Sequence, residues 1–86
     1  MALLELAGLE NAAAGQGNAS GDIFLMLGIK ASGELFDRIA AHKWFNLAAA
    51  RGNTKAAERR REIAAEMSAA EIAAAQRAAR EWLTTH

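Results

Sequence analysis

Apolar residues recur at helical spacing along almost the whole chain. Over residues 2–14, Leu3, Leu4, Leu6, Leu9 and Ala13 predict a helix with one apolar stripe. The glycines of GQGN (15–18) end it, because glycine relieves the left-handed position just past a helix. Ser20 or Asn18 can cap a second helix carrying Ile23, Phe24, Met26 and Leu27 to about Ala31. Its segment IFLMLGI (23–29) is apolar on nearly all sides, so this helix is expected to be the buried one. So short a run also fits a strand, and its helical neighbours decide against that.

SGELF (32–36) breaks the pattern, and Asp37 is a good N-cap for a third helix. On that helix Ala40, Trp44, Leu47 and Ala48 share one face, with Ala41, Phe45 and Ala49 beside it. Arg51 suits the negative helix end, and Gly52 terminates the element. A fourth helix starts at Asn53 or Thr54, with Ala56, Arg60, Ile63 and Met67 at core spacing. Ser68 and Glu71 have the spacing of a capping box, which opens a fifth helix. Its stripe is Ile72, Ala75, Ala79 and Trp82, with Leu83 beside it. No glycine or proline separates the last two helices, so they are expected to run on with little gap. The fold class is all-α: an antiparallel helix-turn-helix arrangement of about five helices.

Trp44 and Phe45 sit among alanines. Small residues let a neighbouring helix approach closely while the rings fill the space between, so the aromatics act as spacers. Composition agrees: 86 residues make one small domain, and the chain has no proline and no cysteine. Without cysteine there is neither disulfide nor thiolate metal site, which points to a reducing, cytoplasmic setting. The N-terminal MALLELAGLE carries Glu5 and Glu10 and no base, unlike a signal peptide. No stretch approaches the roughly 18 uncharged apolar residues of a membrane span, so no membrane partner is expected.

An internal echo adds organisation. AAGQGN (13–18) recurs as AAARGN (48–53), an offset of 35 residues, typical of stacked helix-turn-helix repeats. The positions Leu27, Gly28, Asp37, Ala41, Trp44, Ala48, Ala49, Gly52 and Ala56 resemble the pattern of the Sel-one-like repeat, a relative of the tetratricopeptide repeats. EMSAAEIAAAQRAAREW (66–82) is similar to the helix that often closes such arrays in bacterial members. The pattern's tyrosine is missing, with Ala31 near its place, and the stretch from Gly28 to Asp37 is a few residues shorter than usual.

The resemblance divides the chain into a helix and repeat remnant (1–18), one repeat (19–52) and closing helices (53–86). It implies a scaffold or adaptor that binds a protein or peptide, with no enzymatic activity and no cofactor. In the usual register of such arrays the contact face is built from the first helix of each pair. That makes Phe24, Lys55, Glu58, Arg59 and Arg60 the candidate partner-binding residues.

Other chemistry finds little support. His42 has Arg38 and Asn46 at i−4 and i+4, no carboxylate among them, and no metal-ligand spacing is present. Ser20, Ser32 and Ser68 suit caps and turns. Formal net charge is zero, but residues 1–37 hold five acids and one base, and residues 38–86 hold nine bases and five acids. The three arginines of Glu58-Arg-Arg-Arg-Glu62 point about 100° apart on a helix and form no flat cationic patch, which disfavours nucleic acid. A homodimer through Leu3–Leu9 or Ile72–Leu83 is the main alternative.

Overall fold

Asp37, Asn53 and Ser68 each stand in extended backbone conformation and accept, through a side-chain oxygen, from the amide three residues on. These caps set the helix starts in the computed structural model, which describes residues 19–86. The elements are α1 (Ala19–Gly33), α2 (Arg38–Ala50), α3 (Thr54–Ala64) and α4 (Ala69–Thr85), and no strand occurs among the described residues. The helix expected over 2–14 lies outside the described residues.

The α2–α3 turn carries the most polar chemistry. Gly52 takes φ 90° and its N–H donates to the Ala49 carbonyl at 2.9 Å, while the Asn53 N–H donates to Ala48 at 3.1 Å. This pair of bonds is a Schellman ending, which satisfies carbonyls that a helix end leaves open. Asn53 then caps α3, its Oδ1 accepting from the Ala56 N–H at 2.8 Å. Its Nδ2 also donates to Asp22 Oδ1 at 3.0 Å, and Arg51 Nη1 donates to Ser20 Oγ at 2.7 Å. The start of α1 is thereby tied to the end of α2, so the two helices run antiparallel. Ser20 serves this tie from inside the first turn of α1.

α2 packs against each of the other three helices. The expectation that α1 would be the enclosed helix is therefore corrected. Ala41 and Ala48 are fully buried and allow close approach on several sides of α2. α1 presents only one face, with Phe24, Gly28 and Ala31, and leaves Met26 67 % exposed. The expected continuity of the last two helices is also corrected. The Glu66 and Met67 amides bond back three residues, to Ile63 and Ala64, and Ser68 restarts the chain with both halves of the capping box formed. The cap chemistry of Ser68 and Glu71 outweighs the absence of a helix breaker.

Two apolar clusters meet at Trp44. One gathers Phe24, Leu47, Ala48, Ala56 and Ala79, with Trp44 and Trp82 against it. The other gathers Ala31, Ala41, Phe45 and Ile63, with Trp44 and Met67 against it. In the first, Phe24 stacks on Trp44 at a centroid distance of 5.7 Å, and Trp82 meets both rings edge-on at 5.2 and 5.8 Å. Trp44 meeting Trp82 and Arg38 meeting Glu71 (3.8 Å) show that α4 runs alongside α2 in the same direction.

Candidate functional site

Asn53 fixes where α3 begins, and that start decides which α3 side chains face outward. Lys55, Glu58 and Arg59 are exposed, and among the described residues their side chains make no hydrogen bond or ion pair. Arg60 is half-buried instead, its Nη1 donating to Asn46 Oδ1 on α2 at 2.7 Å. Phe24, expected on the contact surface, is corrected: it is 7 % exposed and belongs to the ring cluster. Trp82, from far along the chain, closes over it.

Beside Arg59 the surface dips. A groove of about 250 Å³ lies where α1, α2 and α3 converge, floored by Phe45 and Ile63 and rimmed by Ser32, Arg38, Arg59, Glu62 and Glu66. A pocket of this volume is below the roughly 300–1,000 Å³ of cofactor and small-molecule sites, and fits one or two side chains of a partner. A depression of about 380 Å³ on α4, lined by Arg77, Arg80, Glu81, Thr84 and Thr85, lies on a single helix, and all these residues are exposed. It lacks a buried apolar floor, so the smaller groove is the better-formed site.

The repeat-pattern residues all have structural roles. Gly28 lies against Phe45, Leu27 and Ala49 pack on the first cluster, and Asp37 caps α2. Ala41, Ala48 and Ala56 are fully buried, Trp44 joins the clusters, and Gly52 makes the left-handed turn. Sequence reasoning missed Ser32, Arg38, Glu62 and Glu66, which converge only through the crossing of three helices. It also missed the loop after α1, where Leu35 and Phe36 are exposed. Phe36 is 86 % exposed and sits at φ 52°, a left-handed conformation that costs a bulky residue about 1–2 kcal/mol. Nothing in SGELF beyond its break in pattern signalled this.

His42 has no ligand-binding company. Among the described residues no three His, Cys, Asp or Glu side chains come together as a metal site. The ring is 3 % exposed and its Nδ1 has no hydrogen-bond partner. Burial, and then the positive charge of Arg60, hold its pKa below the ordinary 6.5. Between that lowered value and 6.5 the unfolded chain binds more proton than the folded one. The histidine's contribution is therefore fully present above pH 6.5 and is lost as pH falls toward the folded-state value. Thermal melts across pH 7.5 to 5 are expected to show a falling midpoint, with a shallower slope in His42→Gln. Equal slopes would remove this histidine as the cause.

Comparison with protein-family models, curated proteins and solved structures returns no match. No helix among the described residues is long and apolar enough to cross a membrane.

Proposed function

We propose that this chain is a small protein-interaction module, a scaffold or adaptor of the Sel-one-like type, acting in the cytoplasm and binding a protein or peptide on its helical surface. The observation that carries the reading is the groove between α1 and α3, with its apolar floor of Phe45 and Ile63 and its charged rim. An apolar centre with a polar border is the usual anatomy of a protein contact. The antiparallel pair α1–α2, followed by α4 running parallel to α2, fits two successive hairpins of a short solenoid. The groove would then lie between the first helices of the two pairs.

The charges of α3 support the same reading. Lys55 in its first turn and Glu62 near its last are each of the sign that the helix dipole disfavours. Arg61 in the last turn has the favoured sign, and the exposed Lys55, Glu58 and Arg59 are available to a charged partner.

Capture from nuclease-treated native lysate should recover one near-stoichiometric partner with the unaltered chain. Its yield should drop at least ten-fold with Arg59→Glu and hold with Arg77→Glu, on α4. Equal loss in both variants, or recovery of the chain's own copies alone, would defeat the groove reading. The second of these would favour a homodimer.

A further inference from the structure

The two ends of the groove differ in charge. Arg59, Ile63 and Glu66 follow one another along α3 and the turn after it, at steps of four and three residues, and so share one side. Arg59 and Glu66 are exposed with Ile63 buried between them, and at the helical rise the two charged positions stand about 10 Å apart. Among the described residues the side chains of Arg59, Glu62 and Glu66 make no hydrogen bond or ion pair. Arg38, the other base on the rim, lies 3.8 Å from Glu71 and is already paired. The rim thus offers an open base at one end and open acids toward the other, on either side of an apolar floor.

A strained loop stands at the acidic end. Arg60 bonds Asn46, each of them seven residues from Asn53, so α3 runs back along α2 and Glu66 lies toward the start of α2. Arg38 opens α2, and the exposed Leu35 and Phe36 come just before it. Phe36 keeps φ 52° although a glycine would adopt it without strain. Strain of this kind gathers where a residue is held for contact rather than for stability. A bare ring beside carboxylates attracts a cation, since its face is negative.

We infer that the groove takes an amphipathic helix of a partner protein carrying an acid, one large apolar residue and a base in a single row. The acid meets Arg59, the apolar side chain rests on Phe45 and Ile63, and the base meets Glu66 beside the Phe36 ring. Positions i, i+4 and i+7 of a partner helix match the spacing of Arg59, Ile63 and Glu66, because both helices share one rise. Reversed charges would set like against like, which excludes wrong partners. This inference rests on the groove reading above and adds the chemistry of the occupant.

The probe is a display library on an alanine-rich helical peptide of about 20 residues, with positions i, i+4 and i+7 varied. Selection on the immobilised chain should yield an acid, a large apolar residue and a base, in that order or its reverse. Selection on Glu66→Arg should replace the base by an acid, and selection on Arg59→Glu the acid by a base, with the apolar position unchanged. Phe36→Gly should raise the melting temperature and yet weaken the selected peptide about three-fold. Ser32→Trp, with its helical circular dichroism retained, fills the groove and separates the two readings. Undiminished binding to Ser32→Trp would place the peptides elsewhere, and the groove reading itself would fail. Binding lost in Ser32→Trp but selected residues unchanged by both charge reversals would leave the groove standing and overturn this inference. Enrichment of no peptide at all would overturn it as well.

Discussion

Gly28→Ala is expected to destabilise the fold by about 2 kcal/mol, although alanine is the better helix former. A Cβ at position 28 would stand 2.4 Å from two ring carbons of Phe45. That ring is 2 % exposed and packed in the second cluster, so it must shift to admit a methyl group. Overpacking costs about 1–3 kcal/mol, and so hard a contact belongs at the upper end. The gain in helix propensity returns about 1 kcal/mol. The decisive measurement is a double-mutant cycle by denaturant unfolding. Phe45→Leu costs stability alone, and in the Gly28→Ala background it should cost clearly less, because it removes the obstacle. Strictly additive effects would mean that the two residues are not in contact.

Phe24→Ala should have a still larger effect. The change removes a buried ring that touches both tryptophans, for which about 3–5 kcal/mol is typical. Small domains have about 5–15 kcal/mol in total, and one of this size lies near the lower end. The variant is therefore expected to be largely unfolded at 37 °C, or to melt at least 15 °C lower. Since both tryptophans of the chain belong to the cluster, their emission should shift to the red together with the loss of helical circular dichroism. A melting point within a few degrees of the unaltered chain would show that the cluster contributes little.

These effects indicate which features a linear reading can reach. Asp37, Asn53, Gly52 and the pair Ser68–Glu71 were legible because capping is local chemistry, decided within four residues. The alanine surroundings of Trp44 and Phe45 were legible because small-beside-large packing leaves a helical period. Which helix is central was not, because IFLMLGI is apolar all round and carries no information about how many neighbours it meets. Phe24 was misplaced for a related reason: its cover, Trp82, comes from a helix more than fifty residues later. At the site, Lys55, Glu58 and Arg59 were named from the usual register of such arrays and are exposed, whereas Arg60 turns to Asn46. The apolar floor beneath them needed the crossing of three elements.

The ties at the open end of the first hairpin carry a consequence for how such a chain can change in length. Arg51 to Ser20 and Asn53 to Asp22 each join residues 31 apart in sequence. One residue inserted into α1 or α2 would turn everything beyond it by about 100° and swing donors away from acceptors. The hairpin thus acts as its own ruler, resisting insertions and deletions of one or two residues inside its helices. Growth or loss of a whole hairpin at α4 would leave both ties intact. A lineage of such chains would vary in length in steps, by entire helix pairs.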